Sequence, residues 1–139
     1  MKGSEGGESG AIVRRPRGAT QARGAAAEAQ AAALLARHGL SVIARNVRCR
    51  GGEIDLVCLE REVLVFVEVR LRSDARFGGA AASITARKRQ RVILAARWWL
   101  AGAGRAHAQR PCRFDAVLFD GADPPRPSWL KGAFDAGTA

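Results

Sequence analysis

The chain has 139 residues and a formal net charge of +10, from 23 lysines and arginines against 13 aspartates and glutamates. This length predicts one domain with a single core. The longest apolar run, residues 63–67, is far too short to cross a bilayer, which excludes a membrane protein. Three cysteines without CxxC spacing exclude a disulfide scaffold and a clustered-cysteine zinc module, and they favour the reducing cytoplasm.

The excess of basic over acidic residues favours a polyanionic partner, and nucleic acid is the partner that we expect. The alternative is a basic protein whose charge serves only its solubility. Arginine supplies nearly all of the positive charge, because only three residues are lysines: Lys2, Lys88 and Lys131.

The N-terminal third is predicted to hold a tail and a helix. Residues 1–20 are rich in Gly, Ser and Arg with little apolar content, which predicts a disordered basic tail before a single domain over residues 21–135. An Ala-rich first helix is expected over residues 21–38. Thr20 is its candidate N-cap, and Gly39 is its stop.

Three strands are predicted next. A short strand at residues 40–43 leads into a polar turn over residues 46–52. Two longer strands, rich in Val, Ile, Leu and Phe, then occupy residues 53–59 and 63–71. Only Arg61-Glu62 separates these two strands, and so short a connection predicts an antiparallel hairpin.

The remaining elements are a second long helix and a last strand. A Gly-containing loop over residues 73–79 precedes a helix at about residues 83–101, and a loop at 102–111 precedes a strand at 113–120. A short amphipathic segment, residues 129–134, ends the domain. The order α-β-β-β-α-β predicts an α/β fold with a mixed sheet flanked by helices.

Two acidic residues stand inside the apolar runs of the hairpin strands, Asp55 in the first and Glu68 in the second. A lone buried carboxylate is costly unless it is paired, protonated or bound to a cation. A two-residue hairpin loop puts Asp55 opposite Glu68, with Cβ atoms about 4.5–5.5 Å apart. A divalent cation between them, Mg²⁺ or Mn²⁺, is the simplest solution. The alternative is a salt bridge of both acids with Arg70, which leaves the strand on the same face as Glu68.

The first helix has one charged residue, Glu28, between Gly24 and Ala36. Its neighbours at helical spacing are Ala31, Ala32 and Leu35, a face expected to pack on the sheet. Glu28 is therefore a candidate member of the same site. The equal alternative is a surface glutamate, because alanine does not reveal which face of a helix is buried.

The second helix carries Lys88 in the middle of its apolar stripe, which consists of Ile84, Val92, Ala95 and Trp99. Lys88 must therefore reach past the core to a negative partner or extend to solvent. The opposite helix face carries Arg87, Arg91 and Trp98. Acidic and basic groups that converge at one end of a sheet fit metal-assisted hydrolysis of phosphodiesters.

Two sequence blocks, GEIDLV at residues 52–57 and VFVEVRLR at residues 65–72, resemble the YraN-like family of bacterial proteins. Looser matches are Gly24, Glu28, Asn46, Lys88, Arg113-Phe114-Asp115 and Ala133-Phe134. The resemblance covers about residues 23–134. That family is similar to the PD-(D/E)xK nucleases, of restriction-endonuclease-like fold, and to Holliday-junction resolvases among them.

This resemblance implies a restriction-endonuclease-like αβββαβ core and a catalytic set of Asp55, Glu68, Arg70 and Glu28. Asp55 and Glu68 would hold Mg²⁺ or Mn²⁺ with the Val69 carbonyl as a third ligand, and Glu28 would be an auxiliary acid. Arg70 stands where the superfamily motif has lysine, and an arginine cannot act as a general base. The residues expected to contact nucleic acid are Lys88, Arg87, Arg91 and Arg72.

Three functions follow from these observations. The first is a metal-dependent endonuclease that acts on nucleic acid, DNA rather than RNA and with branched DNA as a candidate substrate. The second is a non-catalytic nucleic-acid-binding protein with a degenerate nuclease site. The third is an interaction protein whose buried charges are only structural. Resolvase-like enzymes cut symmetrically with two active sites, so by analogy we expect a homodimer.

Overall fold

Seven regular elements form the described part of the protein. The structure, a computed structural model, describes residues 18–71, 84–122 and 124–136, with side chains from residue 24 onward. In chain order they are helix α1 (Gly18–Arg37), strands β1 (Ser41–Cys49), β2 (Gly52–Glu60) and β3 (Val63–Leu71), helix α2 (Ala86–Ala101), and strands β4 (Cys112–Phe119) and β5 (Pro127–Phe134). A short 3-10 turn, Arg105–His107, lies between α2 and β4.

The five strands form one mixed sheet in the order β1-β2-β3-β4-β5. Strands β3 and β4 are parallel, and the other neighbouring pairs are antiparallel. A parallel pair requires a crossover connection, and α2 supplies it. The predicted α/β fold with a mixed sheet flanked by helices is confirmed, and it is consistent with a restriction-endonuclease-like core.

Each face of the sheet packs against one helix, because β2 and β3 are apolar on both sides. Buried residues of α1, such as Ala31 and Leu35, form one core cluster with Leu56 of β2. On the other face, Val92 and Trp99 of α2 belong to a second cluster built around Phe66 and Ile54. The continuous apolar runs of the hairpin strands therefore reflect burial on both faces.

The first helix begins earlier than expected. It starts at Gly18, so Thr20 lies inside the helix and the prediction that it is the N-cap is wrong. Residues 18–20 thus belong to α1, and the rest of the predicted basic tail lies outside the described residues. The predicted stop is confirmed, since Gly39 has a φ of +91°, a conformation that glycine adopts without steric cost.

The first strand is much longer than predicted. It continues to Cys49, so the polar turn expected over residues 46–52 is wrong and the turn is confined to Arg50 and Gly51. The polar residues are tolerated because β1 is an edge strand whose arginines, Arg45 and Arg48, are exposed to solvent.

The β2–β3 hairpin has the predicted antiparallel register. Glu60 pairs with Val63 across the two-residue turn, and the pairing continues to Leu56 and Val67. Helix α2 starts at Ala86 behind an N-cap at Thr85, a few residues later than expected. The loop predicted over residues 73–79 lies outside the described residues. The amphipathic C-terminal segment is a strand, β5, which pairs with β4.

A buried carboxylate, Asp115, joins β5 to β4. Asp115 is fully buried and accepts hydrogen bonds from Arg113 (Nε, 2.8 Å), Trp129 (Nε1, 3.0 Å) and the backbone amide of Gly132 (2.9 Å). Arg113 also binds Glu60 at 2.7 Å, which ties the hairpin to the same network. Each buried charge here has a partner of opposite sign, so this network is structural.

The start of β2 touches the backbone of α2. A Cβ atom added at Gly52 would lie 2.3 Å from the carbonyl oxygen of Arg91, an atom that no rotamer change can move. We predict that Gly52→Ala lowers the free energy of unfolding by about 1–3 kcal/mol, because the strand and helix must separate.

Chemical denaturation of both variants and of the wild type checks this prediction. Gly24→Ala is the matched control: Gly24 lies within α1 with nothing within 4 Å of the added atom. That change should raise stability by about 0.5–1 kcal/mol. A Gly52→Ala protein as stable as the wild type would contradict the close approach.

Candidate active site

The acid pair of Asp55 and Glu68 lies where the β2–β3 hairpin pairing ends. The last paired residues are Leu56 and Val67, and the two acids are the next residues along their strands. Glu68 is only 3% exposed, and Asp55 is half-buried. Asp55 accepts a hydrogen bond through Oδ2 from the backbone amide of Val69 at 2.8 Å. The structure thus brings the two predicted acids together.

Burial and the repulsion from Asp55 both raise the pKa of Glu68. Burial is the main reason that the pKa of Glu68 rises to about 8, and the charge of Asp55 and the hydrogen bond between the two carboxyl groups raise it further. The nearby ammonium group of Lys88 opposes the increase. At neutral pH Glu68 of the metal-free protein is therefore largely protonated.

Lys88 reaches this pair from α2. Its Nζ atom lies 3.3 Å from Oε2 of Glu68. Thr85 caps the helix by accepting a hydrogen bond from the Lys88 amide, which fixes the first turn of α2. Of the two predictions for Lys88, contact with a negative partner is confirmed, although a third of its side chain remains exposed.

A small pocket opens beside Glu68 on the α2 side. It is lined by Glu53, Glu68, Lys88, Arg91 and Val92. The sequence pattern placed Arg91 on the face opposite Lys88, and this is wrong, because Arg91 is half-buried and lines the same pocket. Glu53 was not anticipated as a member of the site, and only its position two residues before Asp55 could have suggested it.

Glu28 approaches Asp55 from α1. It is half-buried, and its pKa is raised by burial and then by the charge of Asp55, while a hydrogen bond with Asn46 lowers it. Glu28 therefore belongs to the site's surroundings and is not an ordinary surface glutamate. Asn46, which the sequence predicts in a turn and which is among the looser family matches, contacts Glu28 and has a φ of +51° within β1.

The remaining candidate residues are Arg70, Arg87, Arg72 and Val69, and they differ in burial and position. Arg70 is half-buried on β3 and leaves the strand on the same face as Glu68. Arg87 is exposed on α2, and Arg72 lies outside the described residues. Val69 contacts Asp55 through its amide, and the role of its carbonyl as a metal ligand stays a prediction.

The donor set suits a magnesium ion. Within the described ranges no group of three or more His, Cys, Asp and Glu side chains is arranged to hold a metal. The acid pair supplies two carboxylates, Asp55 and Glu68. Mg²⁺ is commonly bound through one or two carboxylates, with waters and substrate phosphates completing its shell. The hard oxygen donors and their like charge therefore fit Mg²⁺ or Mn²⁺.

Comparison with known sequences defines the family. The profile of the uncharacterised protein family UPF0102 matches residues 27–119, which include the acid pair, Glu28 and Lys88. A UPF0102 protein of Cupriavidus taiwanensis is 56% identical over 120 residues, covering 86% of this chain and 87% of the relative. The UPF0102 protein of Burkholderia pseudomallei strain 1106a is 53% identical over 126 residues, covering 90% and 83%. The chain belongs to the UPF0102 (YraN-like) family.

Neither described helix could cross a membrane, since neither is sufficiently long and apolar.

The buried acid pair predicts how stability depends on pH in the metal-free protein. Because the folded state raises the pKa of Glu68 from 4.5 to about 8, the stabilisation from holding this proton is full below pH 4.5 and is lost as the pH rises to 8. In EDTA, Glu68→Gln should therefore melt above the wild type at pH 8, by about 4 °C or more, and lose less stability between pH 5 and 8.

Thermal unfolding of both proteins at pH 5 and pH 8 measures this difference. Glu62→Gln is the matched control, because the Glu62 side chain is 86% exposed at the far end of the hairpin. It should leave the pH dependence unchanged. A Glu68→Gln protein that melts below the wild type at pH 8 would contradict the claim that the acid pair destabilises the fold at that pH.

Proposed function

We propose that this protein is a metal-dependent endonuclease that hydrolyses phosphodiester bonds of DNA, with branched DNA as its candidate substrate. The observation that carries this proposal is the convergence of Asp55, Glu68 and Lys88 where the pairing of β2 and β3 ends. Two carboxylates held in contact repel each other and destabilise a fold. Such a cost is expected where the pair has a function, and binding a cation is a function that suits it. The net charge of +10 supports a polyanionic substrate.

Asp55 and Glu68 would hold Mg²⁺ or Mn²⁺, with the Val69 carbonyl as the proposed third ligand. When bound, the ion supplies charge stabilisation at the phosphate and acidifies water. Lys88, which lies 3.3 Å from Glu68, would neutralise a phosphate oxygen of the substrate. Arg70 can hold the phosphate with two hydrogen bonds but cannot remove a proton, because guanidinium stays protonated.

The supporting residues follow from the same geometry. Glu28, held by Asn46, orients the site as an auxiliary acid from the α1 side. Arg91 extends the positive surface beyond Lys88, and Arg87 and Arg72 are proposed to contact neighbouring phosphates. The cytoplasm is the proposed location, supported by three unpaired cysteines in a chain without CxxC spacing. A homodimer with two such sites would permit symmetrical cuts.

A second candidate is a nucleic-acid-binding protein without hydrolysis. It is favoured by the direct contact of Lys88 with Glu68, which neutralises one acid without a metal, and by arginine at position 70. In this case binding should weaken steeply with salt, and replacing Asp55 should have little effect on affinity.

Cleavage of labelled junctions, flaps and duplexes in Mg²⁺ or Mn²⁺ tests the first proposal. Asp55→Asn and Glu68→Gln should each lower the cleavage rate by at least about 100-fold, because both remove charge from the cation site, while DNA binding persists. Glu62→Gln is the matched acid control and should cut like the wild type.

Full cleavage by Asp55→Asn would overturn the assignment of the site. A wild type that binds DNA with steep salt dependence and cuts none of these substrates would support the second candidate instead. Absence of any nucleic-acid binding at physiological salt would reject both candidates in favour of a structural charge network.

A further inference from the structure

Helix α2 exposes two large apolar side chains on its outer face. Trp98 is 54% exposed and Leu94 is 46% exposed, the highest values among the large hydrophobic residues that the structure describes. The two residues are four apart, so they lie one helical turn apart on the same face. The neighbouring Trp99, by contrast, is 7% exposed and belongs to the core. Trp98 belongs to none of the core clusters among the described residues.

The charges of α2 indicate what could cover this face. The helix contains five basic residues and no Asp or Glu: Arg87, Lys88, Arg89, Arg91 and Arg97. We name Arg91, Leu94, Arg97 and Trp98 the Trp98 surface. An aromatic side chain between arginines matches a nucleic-acid strand, because bases stack on the ring while the guanidinium groups bind phosphates.

The Trp98 surface is continuous with the acid site. Arg91 lines the pocket beside Glu68 and Lys88, and Trp98 follows it after seven residues, or two turns. Two turns of α-helix span about 10.5 Å, so a strand leaving the pocket along α2 reaches Trp98 within a few nucleotides. The β1–β2 turn borders this path, because Leu94 lies beside Gly51.

We propose that the Trp98 surface binds an unpaired segment of the nucleic acid next to the phosphodiester held at the acid site. This inference rests on the proposed function and specifies its substrate class: DNA with a single-stranded segment at the cut, such as a flap or fork. A base within a duplex is already stacked on both faces, whereas an unpaired base is free to stack on Trp98.

A second copy of the chain is a less suitable occupant. In a two-fold dimer through this surface, the same patch of each copy would face the other. Two copies of the Trp98 surface would then bring four arginines together, and neither α2 helix has an acidic residue to offset them. Charge complementarity therefore favours a polyanion over self-association.

The test compares DNA affinities in the Asp55→Asn protein, in EDTA, so that cleavage cannot interfere. Fluorescence anisotropy measures binding of a labelled fork with single-stranded arms and of a duplex of equal length. We expect Trp98→Ala to weaken fork binding by about 5- to 100-fold, the effect of one lost stacked base, and to change duplex binding by less than about 2-fold. Trp98→Phe, which keeps an aromatic ring, should retain most of the fork affinity.

Tryptophan fluorescence supplies a direct signature of stacking. Single-stranded DNA should quench the emission of the Asp55→Asn protein, and this quenching should be largely absent in Trp98→Phe although it still binds. Ile43→Ala is the matched control for loss of exposed apolar area, since Ile43 is 38% exposed on β1. It should leave both affinities unchanged.

Each outcome bears on the proposal separately from the proposed function. If the Asp55→Asn protein binds the fork and adding Trp98→Ala leaves that affinity unchanged, the inference is overturned and the nuclease proposal still stands. A protein that becomes monomeric on Trp98→Ala, with unchanged DNA affinity, would make this surface an interface between copies and also overturn the inference. Binding to neither fork nor duplex would remove the proposed function and this inference with it.

Discussion

Two carboxyl groups forced together at one end of a buried sheet are the constraint around which the other site residues are arranged. Asp55 and Glu68 come from adjacent strands, and the burial of Glu68 strengthens the repulsion between the two carboxyl groups. Three interactions reduce this repulsion. Glu68 keeps its proton because its pKa is raised, the backbone amide of Val69 donates a hydrogen bond to Asp55, and the ammonium group of Lys88 contacts Glu68.

Asp115, the other buried acid among the described residues, is stabilised in a different way. Asp115 receives four hydrogen bonds: two come from Arg113 on the same strand, and those from Trp129 and Gly132 hold β5 against β4. That carboxylate is fully neutralised and has nothing left to bind. Asp115 therefore stabilises the fold, whereas Asp55 and Glu68 repel each other, and this repulsion is the basis of the proposed cation site.

Much of this arrangement could be predicted from the sequence. The two-residue turn at Arg61-Glu62 fixed the hairpin register, and the register placed Asp55 beside Glu68. Helical periodicity placed Lys88 in the apolar stripe, from which it reaches Glu68. These predictions worked because strand alternation and helical spacing are local rules that tertiary packing did not override.

The misplaced elements depended on tertiary context. The sequence predicts too short a strand β1, because its arginines and Asn46 are typical of a turn. Only the edge position of β1 in the sheet makes those polar residues compatible with a strand. Helical spacing predicts Arg91 on the face opposite Lys88, but it cannot show that Arg91 and the strand residue Glu53 line the same pocket beside Glu68. The link between Asn46 and Glu28 crosses from β1 to α1 and leaves no periodic signal.

Calorimetric titration of the wild type, Asp55→Asn and Glu62→Gln with Mg²⁺ or Mn²⁺ tests the central claim that the acid pair is a cation site. DNA that the protein cannot cut should be included in a second series, because substrate phosphates contribute ligands to such ions. The account predicts binding by the wild type and by Glu62→Gln that is lost in Asp55→Asn. Equal binding by all three proteins, or none in either series, would contradict it.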